Sequence, residues 1–273
     1  MDNREQIKKY SIISTNVSSI NYEQSSNLIT ENARFRNPYK VTALAVHGLM
    51  ESFFSRNLNY SLNKFDLVLP DGQPLKWILN LFYKQNLLDR VSGPDLTNRL
   101  IDLSEKNNFK ILFYGSKDST LKKIKSNLKK SNPQLTKVDF IASKFKKVTQ
   151  EEQKKIALEI ESLKPNLVFV GLGCPRQEYW VTENSKYINC PVISVGAAFD
   201  YLAGNLKRAP KIMQKLGLEW FFRFIQEPRR LFYRYIILNS YFLTLATLQC
   251  FSKNIFINKK NLNQKDLKFT GWS

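Results

Sequence analysis

The chain reads as an α/β protein, a Rossmann-like, mainly parallel sheet with helices on both faces, followed by a C-terminal helical and basic appendage. Three observations predict this. Short β-rich apolar runs alternate with helical patterns between about residues 41 and 195, the spacing of βαβ units. Glycine and polar clusters follow these strands rather than precede them. After about Arg208 the strand signals stop and only helical patterns continue. In parallel sheets ligands collect at the carboxyl ends of the strands, so those clusters are the first places to look for a site.

The elements follow in order. Val41 to Val46 reads as a strand and Leu49 to Arg56 as a helix. Phe65 to Leu69 is a strand ending on Pro70-Asp71-Gly72, with a helix through Leu81. Pro94 to Lys106 is helical, with Pro94 in the first turn, where its missing N–H is harmless. Lys110 to Tyr114 is a strand ending at Gly115-Ser116, followed by a helix from Asp118 to Lys130. Val138 to Ala142 is a strand. Thr149-Gln150-Glu151-Glu152 has the form of a capping box and opens a helix to Leu163. Leu167 to Val170 is a strand ending at Gly171-Leu172-Gly173, and a helix follows the Pro175 turn. Pro191 to Val195 is the last strand, ending at Gly196. The division expected is an α/β body over residues 1–204 and an appendage over 205–273, the last 20 residues of which, rich in Lys and Asn, read as loosely ordered.

At 273 residues the chain can bury a full core, and a hydrophobic content of 43% is that of a globular protein. The net charge of +19 favours anionic partners. Residues 205–273 hold 13 Lys/Arg against 3 Asp/Glu, about three times the net charge density of the body. Cys174, Cys190 and Cys250 form no framework, which suits a reducing compartment. With His47 the sole histidine, a Cys/His relay through Cys174 is disfavoured and no metal site is expected. Met1 to Tyr10 lacks an apolar core and does not read as a signal peptide. Tyr235 to Phe251 comes nearest to a spanning segment, but Asn239, Ser240, Thr244, Thr247 and Gln249 interrupt it, which suits a helix lying on a surface.

Several residues could carry chemistry. Asp71, at a strand's carboxyl end, is placed for a general base or hydroxyl ligand; capping the next helix is the alternative. Gly171 to Glu178 offers glycines for close backbone approach and Arg176, Gln177 and Glu178 as polar groups, without a dinucleotide or P-loop fingerprint. Gly115-Ser116 is a weaker cluster of the same kind. Both are also readable as ordinary turns. Arg90 to Asp95 sets a cation and a carboxylate around a turn, or is a surface loop before a capped helix. Gly196 to Gly204 combines small residues with Asp200. In the tail, Arg223, Arg229, Arg230 and Arg234 are interleaved with Trp220, Phe221, Phe222, Phe224, Phe232, Tyr233 and Tyr235. Arginine forks suit phosphate, and a basic aromatic helix suits a membrane surface; a solvated basic face over a core stripe is the plainer alternative.

Taken together and in order, these motifs resemble the WecG/TagA/CpsF family of bacterial glycosyltransferases. The pieces are Pro70-Asp71-Gly72, Arg90 to Leu96, Phe113-Tyr114-Gly115, Val170 to Glu178, Gly196 to Gly204, Lys207 to Pro210, Gly217 to Arg223 and Glu227 to Arg230. The resemblance implies an inverting, metal-independent hexosyltransferase without a cofactor. It would move a sugar, N-acetylmannosamine or its uronic acid in some branches and glucose in others, from a UDP-sugar to a polyprenyl-diphosphate-linked sugar. The setting would be the cytoplasmic face of the membrane, in teichoic acid, cell-wall or exopolysaccharide synthesis. By the same resemblance Asp71 is the base. Thr42, Gln177 and Asp200 match donor-pocket positions, and Arg223 and Arg230 match arginines closing on the diphosphate. Arg90, Gly115, Gly171 and Arg229 complete the expected substrate-binding set. One position departs from the pattern: Leu44 stands where many members carry Asn, with His47 nearby as a replacement polar group or simply a residue at a helix start.

The expected partners are therefore a UDP-sugar, a lipid-borne diphosphate and an acidic membrane surface, not nucleic acid. Oligomeric state is left open, a homo-oligomer being compatible. A non-catalytic nucleotide- or RNA-binding α/β protein is the competing class, and a degenerate family member a third. The tail aromatics come in helical runs and not in the signature of an RNA-recognition sheet.

Overall fold

The computed structural model describes residues 7–144, 148–215 and 217–251. The expectation for the last 20 residues lies outside them. In chain order the elements are β1 (Lys9–Ile12), β2 (Thr15–Ser18), α1 (Tyr22–Phe35), β3 (Tyr39–Leu44), α2 (Val46–Phe54), α3 (Arg56–Leu62), β4 (Leu67–Pro70), α4 (Gln73–Tyr83), α5 (Gly93–Lys106), β5 (Ile111–Gly115), α6 (Asp118–Ser131), β6 (Val138–Ile141), α7 (Gln150–Ser162), β7 (Leu167–Gly171), α8 (Arg176–Asn184), β8 (Pro191–Ser194), α9 (Ala198–Leu202), α10 (Lys211–Lys215), α11 (Glu219–Gln226), α12 (Pro228–Phe232), a π-helical turn at Tyr233–Leu238, and α13 (Asn239–Phe251).

Six strands pair in the order β4-β3-β8-β7-β5-β6, every pairing parallel. The strands are apolar almost throughout because both faces are covered. Period 2 sorts their side chains. Leu112, Tyr114, Val168, Val170 and Val192 face one core, packed under α2, α4, α7 and α8. Ile111, Phe113, Leu167, Phe169 and Ile193 face the other, under α1, α5, α6 and α9. At the centre of the second core the Phe113 ring stacks on Phe169 at 5.1 Å and meets Phe199 edge-on at 5.5 Å.

Local chemistry accounts for the helix ends. Thr149 and Glu152 form the expected capping box of α7, and Ser92 accepts from the Asp95 N–H to cap α5. The helix expected over 49–56 begins at Val46 and breaks at Ser55, whose side chain caps α3. The first forty residues hold elements that no motif announced. The β1–β2 hairpin pairs antiparallel and lies beside β4, where the Ser18 hydroxyl accepts from the Val68 N–H at 3.1 Å. α1 carries a capping box of Asn21 and Gln24.

The tail helices pack on the body. Leu238, Phe242 and Ala246 join the core cluster of α2, and the Gln249 amide bonds Ser11 O and Ile13 N–H, both at 2.8 Å. Their outer side is apolar: Ile236, Tyr241, Leu243, Leu248 and Phe251 are exposed. Among the described residues no helix is long and apolar enough to cross a membrane.

Gly171 marks where the layers meet most closely, since a Cβ there would fall 2.6 Å from the buried Phe199 ring. Gly171→Ala is expected to destabilise the protein by about 1–3 kcal/mol through overpacking, measured as a lower urea midpoint at unchanged m-value.

Candidate functional site

Strand order in the sheet changes direction around β3 and β8, and a cavity of about 220 Å³ opens at the carboxyl ends of β3, β4 and β8, the position such topology favours. Ala45 to His47 line it after β3, Asp71 to Pro74 after β4, Arg90, Ser92 and Pro94 ahead of and within α5, and Tyr201 on α9. The tail closes it with Gly217, Glu219, Trp220, Arg223, Arg234 and Tyr235.

Asp71 sits at the centre of the polar end. Its N–H donates to Leu44 O at 3.0 Å, fixing it at the β3–β4 edge. Gly72 follows at φ 125° and is itself the N-cap residue of α4, without a side-chain cap. The Asp71 carboxylate thus does not cap that helix. It accepts from Arg90 Nη1 at 3.1 Å and from the Gly93 N–H at 3.3 Å. Burial pushes its pKa above the ordinary carboxylate value, against the pull of Arg90 and the Gly93 N–H.

Arg90 also bonds Glu219 of α11 through Nη2. Glu219 in turn lies 3.5 Å from Arg208, whose Nη2 donates to Asp95 at 2.5 Å. Burial pushes the Asp95 carboxyl up, but the Ser92 hydroxyl and Arg208 outweigh it and hold it below the ordinary range. The Tyr201 ring lies under two guanidinium groups, Arg208 at 5.2 Å and Arg223 at 5.7 Å. Three buried polar atoms on cavity-lining side chains, Tyr201 Oη, Arg223 Nε and Gln73 Oε1, have no hydrogen-bond partner among the described residues. Buried groups of this kind are rarely left unmatched, and all three belong to residues that line the cavity.

Of the residues singled out in the sequence, the structure brings Asp71, Arg90 and Arg223 together at this cavity. Thr42 and Gln177 form a separate buried cluster behind it, both donating to Glu178 Oε1, at 3.1 and 2.9 Å. Burial raises the Glu178 carboxyl and, beside it, lifts the Cys174 thiol well above its usual value, so Cys174 is no thiolate nucleophile. Gly115 and Gly171 end strands away from the cavity; a Cβ on Gly115 would meet the Gly171 carbonyl at 2.8 Å, so strand packing accounts for it. Asp200 accepts from Asn205 Nδ2 at 3.2 Å and lies outside the lining, while its neighbour Tyr201 is in it. Arg229 and Arg230 are exposed, Arg230 bonding Glu227; Arg234 takes the lining position instead. Leu44 is buried in the core under α2.

Sequence reasoning gave no individual role to Glu219, Arg208, Tyr201 and Trp77, and took Tyr235 only as one of the tail aromatics. Glu219 and Arg208 fall in the quoted runs Gly217 to Arg223 and Lys207 to Pro210, but their meeting across α10 has no local signal.

A parallel sheet with carboxylates and convergent guanidinium groups around a cavity at its switch point defines an α/β protein with a candidate ligand site there. The chain belongs to the glycosyl transferase WecG/TagA/CpsF family, whose family model matches residues 10–255. It is 30% identical over 186 residues to an N-acetylglucosaminyldiphosphoundecaprenol N-acetyl-beta-D-mannosaminyltransferase of Bacillus subtilis, covering 67% of this chain and 70% of that protein. It is 28% identical over 170 residues to a protein of the same name from Bacillus spizizenii, covering 62% of this chain and 64% of the relative.

His47, in the first turn of α2, bonds Glu51 at 3.3 Å. Burial, with Arg234 and Arg230 adding repulsion, lowers its pKa to about 4. Between this value and about 6.5 the unfolded chain binds the proton and the folded chain does not, so His47 makes stability fall as pH drops through that window and has no effect above it. Urea unfolding at pH 7 and pH 5 is expected to show His47→Gln losing about 2 kcal/mol less than the wild type on acidification. Taking the difference between the two proteins removes the opposite contributions of the raised Asp71 and Glu178 carboxyls.

Proposed function

We propose that the protein is an inverting glycosyltransferase that moves a sugar, of the N-acetylmannosamine type, from a UDP-sugar to a polyprenyl-diphosphate-linked sugar in the synthesis of a cell-surface polymer such as teichoic acid. The observation that carries the reading is Asp71, a carboxylate made more basic by burial, at a strand end in a cavity walled by arginines. The activity for which the two Bacillus relatives are named supports the acceptor class.

In this reading an Asp71 oxygen takes the proton of the acceptor hydroxyl as the hydroxyl oxygen attacks the anomeric carbon. The bond from that carbon to the phosphate oxygen breaks on the opposite face, which inverts the centre, and UDP leaves with the electron pair. Arg90 holds the carboxylate in place by one nitrogen. Arg223, with its free Nε, and Arg234 supply positive charge to diphosphate oxygens, where preorganised donors act most strongly in a water-poor site. These guanidinium groups take the place of a metal in the proposed step, and no cofactor is involved. Thr42 and Gln177, tied to each other through Glu178, form with Asp200, Gly115 and Gly171 a proposed outer donor region, and Arg229 and Arg230 a proposed phosphate-steering rim. Leu44 offers no polar group, so donor choice would differ from members with Asn there, a glucosyl or uronosyl donor being the alternative.

Residues 1–204 would be the catalytic body and 205–273 a membrane-associating appendage on the inner face of the plasma membrane. Its exposed Trp220, Phe221, Ile225, Phe232 and Tyr233 alternate with arginines, a pattern suited to an acidic bilayer surface.

Asp71→Asn keeps the shape and removes the base. Turnover, followed as UDP release from a panel of UDP-sugars with a prenyl-diphosphate-linked amino sugar, is expected to fall about 10²–10⁴-fold with UDP-sugar binding largely preserved. Unchanged turnover removes Asp71 from the base role, and RNA binding without transfer by the wild type favours the non-catalytic class.

A further inference from the structure

α11 covers the cavity, yet none of its residues is fully buried. What holds it is polar and aromatic: Gln226 exchanges hydrogen bonds with Lys207, Trp220 meets the Tyr235 ring edge-on at 5.9 Å, and Glu219 reaches two arginines that belong to other segments. One of these, Arg90, is the partner of Asp71. The other, Arg208, is fastened to α5 through Asp95. The Glu219 and Arg90 side chains are 12% and 17% exposed, so water screens the bridge weakly.

We propose that Glu219 is a positioning residue for the transfer, a strap that bridges Arg90 and Arg208, holds α11 over the cavity and divides the charge of Arg90 between two carboxylates. This rests on the transferase reading above. The first consequence is geometric. Arg223 lies one turn after Glu219 on the same helix, so the bridge sets where that guanidinium faces the cavity. The second is electrostatic. Asp71 is faced by Arg90 and the Gly93 N–H from the segment leading into α5, by Glu219 and Arg223 from α11, by Tyr22 from α1 and by Tyr235 from the π-helical turn. Among these groups Glu219 is the acidic one opposing two guanidinium groups. Without its charge Arg90 would turn wholly to Asp71 and leave it a weaker base.

The test compares wild type, Glu219→Gln and Arg208→Met as full-length proteins, with circular dichroism melting to show that each is folded. Hydrogen–deuterium exchange across residues 219–226 reads the strap without reference to activity. Both variants are expected to exchange there at least tenfold faster than wild type, while β5 and β7 are unchanged. In the transfer assay Glu219→Gln is expected to lower kcat at least tenfold with less than a threefold change in donor KM, and to move the acidic limb of the pH–rate profile to lower pH. Arg208→Met, which leaves Glu219 and Asp71 both charged, should lower kcat with a smaller movement of that limb. Unchanged exchange over 219–226 in Glu219→Gln overturns the strap, and an unmoved acidic limb overturns its charge-dividing role. If the wild type transfers no sugar from any donor, the transferase reading falls by itself, and the exchange result alone then decides whether Glu219 straps the tail.

Discussion

The pairing of Asp71 with Arg90 is the interaction on which the architecture of the site depends. Asp71 is held by its backbone at the end of β4 and by its carboxylate across to the start of α5. Arg90 extends the contact to α11 through Glu219. One guanidinium thereby links the sheet, a body helix and the tail. Asp71 is half-buried, and the guanidinium beside it favours its charged form against the cost of desolvation, as the carboxylate does for the half-buried Arg90. The pair and its extension let a half-buried acid and several arginines share one small cavity.

The sheet makes this possible by being covered on both sides. Side chains from successive strand residues enter opposite cores, and neither core leaves room for polar groups along the strands. Apart from Lys40 and Asp139 near strand starts, the polar positions lie toward the carboxyl ends, where Thr42 and Ser194 stand in register on adjacent strands and Glu178 reaches Thr42 from α8. Polar chemistry is therefore confined to one end of the molecule, the end to which the tail returns. α13 anchors that tail by apolar packing against α2, whereas α11 lies over the cavity held by charge and ring contacts.

Much of this was legible in the sequence because parallel α/β units have a strong local signature. The alternation of apolar runs and helical periods located every strand of the six-stranded sheet to within two residues, and the Thr149 box and Ser92 cap sit where their side chains can reach free N–H groups. Asp71 and Arg90 were legible as a carboxylate after a strand and a cation before a helix. The hairpin and α1 went unread because short half-polar strands carry little periodicity, although Asn21-x-x-Gln24 did hold a capping signal. The bridge of Glu219 to Arg90 and Arg208 was not legible at all, since it joins residues 129 positions apart in one case. Glycine carries an ambiguous cue: at Gly115 and Gly171 the close approach of two strand ends and of the Phe199 ring leaves no room for a Cβ, a packing need that looks in sequence like a ligand-binding turn.

The central claim is that Asp71, raised by burial and held by Arg90, is the group whose ionisation switches the site on. The most direct measurement is the pH dependence of kcat/KM for sugar transfer, wild type against Asp71→Asn. The account predicts one acidic limb in the wild type, centred above the ordinary aspartate value of about 3.9 and absent from the residual activity of the variant. A wild-type rate that stays level down to that value, or a limb that survives in Asp71→Asn, would contradict it.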